Sequence, residues 1–203
     1  GPALPGVEIR FAEDSEILIR GGAVMKGYWQ NQEATDSTLI DGWLHTGDIG
    51  EIDEDGFLYI TDRKRDLIVN SGGDNIAPQR VEGIAALEPE IEQVLVYGDQ
   101  RPHLVALIVP DQDFVRAYAK VEGKSHHLAE LAEDKDFQEV MGSAMKRINN
   151  RLSPIERIRR FKIMHEPFTI ESGMMTPTLK LKRQVIYRAY EDVIADLYKG
   201  RVG

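Results

Sequence analysis

The sequence predicts an α+β protein in which a β-rich amino-terminal segment precedes a small α/β domain with a mixed sheet and about four helices. Three observations support this prediction. Short apolar runs separated by turn residues fill residues 1–62, as is typical of antiparallel sheets. From residue 66 onward, strand-like runs alternate with helical patterns. The charge also changes abruptly, from 3 basic and 13 acidic side chains in residues 1–62 to 22 basic and 21 acidic side chains in residues 63–203.

The amino-terminal part contains five predicted strands. They cover residues 7–11, 16–20, 43–45, 50–52 and 57–61. The third and fourth strands flank Thr46-Gly47-Asp48, and Asp53-Glu54-Asp55-Gly56 before the fifth strand is a strong turn signal. This part is therefore expected to consist mostly of strands with short connections.

The carboxyl-terminal part carries the helical patterns. Pro78 suits the first turn of a helix, and Phe137, Met141, Ala144 and Ile148 have the spacing of one apolar helix face. Further helices are predicted at 113–120 and over a terminal segment marked by apolar residues at 186, 190, 193 and 197. Two buried strands are predicted at 94–97 and 104–109, and a third at 161–165.

Composition excludes several classes of function. The 203 residues carry a net charge of −9, which argues against a protein that wraps nucleic acid. The absence of cysteine excludes disulfides, thiolate zinc sites and thiol nucleophiles. The five histidines are scattered, so no metal site is predicted. No apolar run approaches the ~20 residues of a membrane span and no signal segment opens the chain, so a cytoplasmic protein is expected.

Two charged positions in the amino-terminal part suit nucleotide binding. Asp48 follows a glycine, and its carboxylate can accept two hydrogen bonds from a vicinal diol such as a ribose. The alternative is an ordinary Asx turn. Arg63 lies in a run of charges, where its guanidinium can share ribose hydroxyls or meet a phosphate. The alternative for this run is a solvated surface hairpin.

Two loops of the carboxyl-terminal part also carry residues suited to ligand binding or catalysis. Ser71-Gly72-Gly73 offers bare backbone along which an extended ligand can lie, although a plain tight turn explains the glycines as well. Lys180, Lys182 and Arg183 follow the proline-fixed segment that begins at Thr176. Cations held near a phosphate stabilise the charge of phosphoryl transfer, and the alternative is a basic patch that caps the preceding strand.

The order of these motifs closely resembles the adenylate-forming acyl-CoA synthetase family, and within it the long-chain fatty acid–CoA ligases. The resemblance rests on five ordered segments, namely Gly27-Tyr28-Trp29, Asp41 to Asp48, Asp55 to Arg63, Gly72 to Pro78, and Thr176 to Arg183. It implies a two-step reaction in which a fatty acid and ATP give an acyl-adenylate and pyrophosphate. The thiol of CoA then displaces AMP to form the thioester.

The resemblance also assigns roles to individual residues. It implies that Asp48 holds the ATP ribose with Arg63 beside it, and that Lys180 approaches the α-phosphate during adenylation. Lys182 and Arg183 receive no catalytic role. Arg65 corresponds to the hinge about which the small domain rotates between the half-reactions. Ser71, Gly72 and Gly73 fall in the loop that approaches the pantetheine of CoA.

By the same resemblance, the chain is expected to be a fragment. Residues 1–62 correspond to the β-rich end of the large AMP-binding domain, residues 63–65 to the hinge and residues 66–203 to the mobile carboxyl-terminal domain. The family's phosphate loop, its magnesium-binding glutamate and its acyl pocket are not in this sequence, so Mg²⁺ is assigned to the missing amino-terminal domain. That domain is the expected partner, and the fragment alone is expected to be inactive.

Three alternatives stay open. The parent protein is a peptide-synthetase adenylation module, or it loads acyl groups onto a carrier protein without using CoA, or the chain is a non-catalytic interaction module that pairs through an exposed sheet edge. Peripheral association of the intact enzyme with a membrane also stays open.

Overall fold

A computed structural model describes residues 1–199, and their chain divides between Leu67 and Ile68 into two compact units. Residues 200–203, the predicted end of the second domain, lie outside the described residues. The predicted hinge at 63–65 covers the last residue of a strand and the first two residues of a short 3-10 turn. The division between the units therefore falls two residues beyond that segment, and rotation at the hinge stays a prediction.

The first unit is an antiparallel sheet with one short helix. Its elements are β1 (Val7–Phe11), β2 (Glu16–Gly21), α1 (Gln32–Thr38), β3 (Leu39–Ile40), β4 (Trp43–Ile52), β5 (Leu58–Arg63) and the 3-10 turn (Lys64–Asp66). Strand β2 lies between β1 and β4. The opposite edge of β4 pairs first with β3 and then, from Asp48 to Ile52, with β5.

Strand β4 corrects the prediction of two separate strands at 43–45 and 50–52. In the structure one strand runs through Thr46, Gly47 and Asp48. The glycine that signals a turn produces only a local irregularity within this strand. Gly47 has φ +69°, and the register of β2 against β4 shifts between Glu16 and Leu18. Such a bulge bends a strand without ending it.

Helix α1 is absent from the prediction because it has no apolar face. None of its residues is buried, so hydrophobic periodicity does not detect it. Its only strong sequence signal is the cap, since the side chain of Asn31 accepts a hydrogen bond from the backbone N–H of Ala34 at 3.0 Å.

The second unit contains a small sheet covered by helices. Its elements within residues 68–199 are β6 (Ile68–Val69), β7 (Asn75–Ile76), α2 (Pro78–Ala85), β8 (Ile91–Tyr97), β9 (Leu104–Pro110), α3 (Gln112–Glu122), α4 (Leu128–Leu131), α5 (Lys135–Asn150), β10 (Ile158–Ile163), α6 (Arg183–Ala189) and α7 (Glu191–Leu197). Strand β9 pairs antiparallel with β8 and parallel with β10. The predicted mixed sheet is therefore confirmed.

Strand β9 is buried along its whole length between two apolar cores. Leu104, Ala106 and Ile108 point to one core, which also receives residues of α2, α3 and α5. Val105, Leu107 and Val109 point to the other, which is covered by α6, α7 and Phe168. Because side chains alternate along a strand, an unbroken apolar run is what a strand covered on both faces requires.

Helix α5 confirms the amphipathic pattern. Phe137, Met141, Ala144 and Ile148 are all fully buried. The helix begins after Asp134, whose carboxylate accepts a hydrogen bond from the backbone N–H of Phe137 at 3.0 Å.

The terminal helix is interrupted, which the apolar spacing does not reveal. Tyr190 has φ −118° and separates α6 from α7, although Ile186 and Ile194 both remain buried in the same core. The acidic pair Glu191 and Asp192 marks the start of α7, where carboxylates interact favourably with the helix dipole. With this break and the four-residue α4, the described part of the second unit has six helices instead of about four.

Strand β10 begins earlier than predicted and ends at Ile163, so His165 lies beyond it. Within residues 1–199, no helix combines the length and the apolar character that crossing a membrane requires.

Candidate functional site

Asp48 and Arg63 lie directly opposite each other in the first unit. They are register partners on β4 and β5, and the Nε of Arg63 lies 2.7 Å from Oδ1 of Asp48. The side chain of Asp48 is 19% exposed and that of Arg63 is 54% exposed. The described residues give Oδ2 of Asp48 no hydrogen-bond donor, so this oxygen is available to a hydroxyl group. The pair fits a vicinal diol, with an acceptor and a donor side by side.

Glu16, which no sequence motif indicated, contacts the chain neighbours of this pair. Glu16 opens β2 and is 3% exposed. Its Oε1 accepts a hydrogen bond from the backbone N–H of Gly47 at 2.9 Å, and its Oε2 lies 3.1 Å from Nδ1 of His45 and 3.0 Å from Nζ of Lys64. The only sequence signal was a charged residue at the head of the apolar run Ile17-Leu18-Ile19.

The charge state of Glu16 follows from these contacts. Burial of the carboxyl opposes its ionisation, but the hydrogen bonds from Lys64, the Gly47 amide and His45 together outweigh burial. The pKa of Glu16 therefore lies below its ordinary value. Lys64 also pairs with Asp14 at 2.6 Å, and its hydrogen bonds to Asp14 and Glu16 raise the pKa of Lys64.

Arg65, the predicted hinge residue, follows Lys64 directly and is much less constrained. Its side chain is 84% exposed, and its nearest carboxylate is that of the adjacent Asp66, at 3.8 Å. Lys64 is thus held by two carboxylates of the first unit, while Arg65 is in open solvent. This contrast is compatible with a pivot at Arg65, which stays a prediction.

Ser71, Gly72 and Gly73 form the exposed connection between β6 and β7 of the second unit. Asn70 organises it, because its Oδ1 accepts hydrogen bonds from the backbone N–H groups of Gly72 and Asp74, both at 2.9 Å. Gly73 has φ +87°, a conformation that favours glycine. The three residues are exposed, but their backbone N–H groups already donate hydrogen bonds, those of Ser71 and Gly73 to carbonyl oxygens and that of Gly72 to Asn70. Nothing in the loop identifies a ligand.

Lys180 is exposed on a closed loop that precedes α6. The Thr176 hydroxyl accepts a hydrogen bond from the Lys180 backbone N–H at 3.0 Å, and the Thr176 N–H donates to the Lys180 carbonyl at 2.8 Å. Leu179, immediately before the lysine, has φ +59° and is 68% exposed. Among the described residues, no carboxylate pairs with the Lys180 ammonium group, so the loop presents a free cation to solvent.

Arg183 has a different environment from Lys180, only three residues away. It forms a bidentate ion pair with Glu82 of α2, and both side chains are mostly buried, at 14% and 12% exposure. Burial opposes the charge of Arg183, but the Glu82 carboxylate outweighs it and raises the pKa of the guanidinium. Arg183 therefore anchors the start of α6, while Lys182 is exposed.

Residues 1–199 form no metal centre. Within residues 1–199, no group of three or more histidine, aspartate or glutamate side chains is arranged to hold a metal ion. The described residues place a carboxylate beside a guanidinium in the first unit and an exposed ammonium group in the second. The assignment of Mg²⁺ to a large domain stays an expectation.

Comparison with known proteins gives a family match. Residues 65–202 match the model of the AMP-binding enzyme C-terminal domain. The chain is 40% identical over 200 residues to the long-chain-fatty-acid–CoA ligase FadD15 of Mycobacterium tuberculosis, covering 98% of this chain and 33% of that protein. It is 35% identical over 190 residues to the long-chain-fatty-acid–CoA ligase 5 of Mus musculus, covering 92% of this chain and 28% of that protein. The chain thus spans about a third of the length of these curated relatives.

Solved structures show the same fold. The adenylation domain of a carboxylate reductase from Mycobacterium chelonae superposes with a TM-score of 0.77 at 21% identity, covering 98% of this chain and 32% of that one. At this level of identity the likeness concerns the fold.

Proposed function

The chain belongs to the AMP-binding, adenylate-forming enzyme family, and on that premise we propose that it is part of an ATP-dependent, AMP-forming acid–CoA ligase whose acid is a long-chain fatty acid. Support for the fatty acid comes from the curated relatives, which are named as long-chain fatty acid–CoA ligases. Support for the chemistry comes from the side chains that the two units present.

In the proposed first step, a carboxylate oxygen of the fatty acid attacks the α-phosphorus of ATP. A bond forms between these two atoms, the bond from the α-phosphorus to the bridging oxygen breaks, and pyrophosphate leaves with the bonding electrons. Asp48 and Arg63 hold the ribose hydroxyls during this step. Such binding fixes the nucleotide so that attack occurs within one complex, which lowers the entropic part of the barrier.

Lys180 supplies the positive charge that this step needs. The observation that carries the proposal is the free, exposed ammonium group of Lys180 on a loop closed by Thr176. A unit charge at ~4 Å from a phosphate oxygen gains about 4 kcal/mol at an effective dielectric constant of ~20, before the cost of desolvation. Stabilising charge is most of the work in phosphoryl transfer.

In the proposed second step, the CoA sulfur attacks the acyl carbonyl carbon of the adenylate and the thiol proton passes to solvent. The bond from this carbon to the phosphate oxygen breaks, and AMP leaves with the bonding electrons. Ser71, Gly72 and Gly73 border the path of the pantetheine arm, where the exposed backbone permits close approach. Arg65 is the pivot. Rotation about it removes Lys180 from the reacting groups after the first step and brings this loop to them for the second. Both CoA and the acid are therefore substrates, and the rest of the ligase is the partner of this chain.

The test separates the two half-reactions in the full-length ligase that contains this chain. We expect Lys180→Ala to reduce adenylate formation, measured by ATP–pyrophosphate exchange, by a factor of at least about 10². Thioester formation from supplied acyl-adenylate should be largely spared. Lys182→Ala is the matched control, because Lys182 is an exposed lysine two residues away with no assigned role. An equal loss of both half-reactions in Lys180→Ala would refute the role of Lys180.

A second candidate is an enzyme that loads the acyl group onto a carrier protein. The observation in its favour is the fold shared with the adenylation domain of a carboxylate reductase. Product analysis of the full-length enzyme with and without CoA separates the candidates. Release of acyl-CoA supports the ligase, whereas accumulation of acyl-adenylate in the presence of CoA supports carrier loading.

A further inference from the structure

Glu16 contacts both chain segments that carry the proposed ribose-binding pair. Its Oε1 accepts a hydrogen bond from the backbone N–H of Gly47, one residue before Asp48, at 2.9 Å. Its Oε2 accepts one from Nζ of Lys64, one residue after Arg63, at 3.0 Å. Among the described contacts, Glu16 touches neither member of the pair itself. Its carboxylate therefore links the two segments without contacting Asp48 or Arg63.

The same segment of β4 is tied to β2 a second time. The hydroxyl of Thr46 donates to the carbonyl of Ile17 at 2.7 Å and accepts from the backbone N–H of Asp48 at 3.1 Å. Gly47, with φ +69°, directs its N–H toward Glu16 at the point where the strand is irregular. The orientation of Asp48 thus depends on contacts that residues 16 and 17 of β2 make.

The position of Glu16 makes these contacts persistent. A carboxylate that is 3% exposed must keep its hydrogen-bond donors, because a buried charge without partners is costly. Three donors reach it, from His45, Gly47 and Lys64. Removal of the charge would leave Lys64 with Asp14 alone and the Gly47 amide with a weaker acceptor.

We propose that Glu16 is a positioning residue for nucleotide binding, which holds the Asp48–Arg63 pair in the orientation that grips the ribose. This inference rests on the proposed function of that pair, and it adds a residue outside the motifs that carry the family resemblance. Glutamine in place of Glu16 keeps the shape of the side chain. Its amide NH₂ cannot accept a hydrogen bond, so either Gly47 loses its acceptor, or His45 and Lys64 both lose theirs, depending on which oxygen the NH₂ replaces.

The experiment measures preference for the ribose, using the full-length ligase that contains this chain. The probe is the ratio of kcat/KM for ATP to kcat/KM for 2′-deoxy-ATP in ATP–pyrophosphate exchange. We expect Glu16→Gln to lower this ratio by a factor of about 10, since a charged hydrogen bond to one hydroxyl is lost or misaligned. Glu8→Gln is the matched control, because Glu8 is an exposed carboxylate on the neighbouring β1 and pairs with Arg20 at the surface. The ratio of kcat/KM for ATP to kcat/KM for 2′-deoxy-ATP in Glu8→Gln should equal that of the wild type.

Each other outcome has a defined meaning. An equal fall in kcat/KM for both nucleotides overturns the proposal, because damage to the fold does not discriminate between them. An unchanged ratio in Glu16→Gln also overturns it when Asp48→Asn lowers the ratio in the same assay. If Asp48→Asn keeps the ratio, the ribose role of Asp48 fails and the proposal falls with it. Should Glu16→Gln not fold, Lys64→Met removes the same link from the Arg63 side, and an unchanged ratio there refutes the proposal.

Discussion

Glu156 shows how a single buried carboxyl makes the stability of the second unit depend on pH. Its Oε2 accepts hydrogen bonds from the hydroxyl and backbone N–H of Ser153, at 2.6 and 3.1 Å, and its Oε1 accepts one from Arg80 at 2.9 Å. Burial opposes ionisation, but these bonds outweigh it and hold the pKa of Glu156 below its ordinary value of 4.5. A group with a lowered folded-state pKa stabilises the protein above its unfolded pKa, and that stability is lost as the pH falls through the folded pKa.

We therefore expect Glu156→Gln to lower the free energy of unfolding by about 1–3 kcal/mol near neutral pH, and by less at an acidic pH below the ordinary glutamate value of 4.5. Urea unfolding of the chain at both pH values measures the difference. Glu171→Gln is the control, since Glu171 is exposed and the described residues give it no ion-pair partner. A difference in the free energy of unfolding between Glu156→Gln and the wild type that stays constant with pH would contradict the assignment of a lowered pKa to Glu156.

Residues of the site divide into those that sequence can identify and those that only packing reveals. Asp48 and Arg63 are separated by 14 intervening residues, yet the turn signal between them predicts a hairpin, and a hairpin places its strands side by side. Glu16 is 32 residues from Asp48 and belongs to a strand whose register no local signal fixes. The same limit hides Glu82 as the partner of Arg183, because these residues are 101 positions apart.

At the level of elements, the pairing of β4 with β5 depends on the absence of a side chain at Gly50. A Cβ atom there would overlap the carbonyl oxygen of Tyr59 and lie 2.7 Å from Cδ1 of Ile17. The ladder shifts register at this point, between Ile49 and Gly50. The close approach of β5 therefore requires glycine.

We expect Gly50→Ala to lower the free energy of unfolding of the first unit by about 1–3 kcal/mol, the usual cost of overpacking. Hydrogen exchange of the β4 and β5 amides, read alongside urea unfolding, locates the effect. Gly22→Ala is the matched control, because a Cβ atom at Gly22 meets nothing within 4 Å. Equal stability of the two variants would show that β5 can move away without cost.

Elements with a single dominant signal are those that the sequence predicts well. Helix α5 and strands β8 and β9 bury continuous or periodic apolar residues, so the apolar pattern of the sequence matches the buried residues of the structure. The short α1 and α4 bury little, and the break at Tyr190 leaves the apolar face of the terminal helices intact. These features depend on caps and tertiary contacts, which periodicity does not contain.

For the whole molecule, the sequence predicts that the chain alone does not make acyl-CoA. The 203 residues contain no Ser/Thr/Gly-rich phosphate loop of the kind that the family resemblance requires. We expect no thioester when the purified chain is incubated with ATP, Mg²⁺, a long-chain fatty acid and CoA, as measured by separation of acyl-CoA products. The full-length ligase under identical conditions is the positive control. Turnover by the chain, abolished by Lys180→Ala, would contradict this expectation.

The double burial of β9 constrains how this molecule can change over evolutionary time. Its alternate residues are divided between two cores, so deletion or insertion of one codon within Leu104–Pro110 would send every following side chain to the wrong face. Point substitutions of similar volume leave that division intact. Among homologues, length variation should therefore be confined to connections such as residues 98–103. The seven positions of this strand should vary in residue type, but the strand should keep its length.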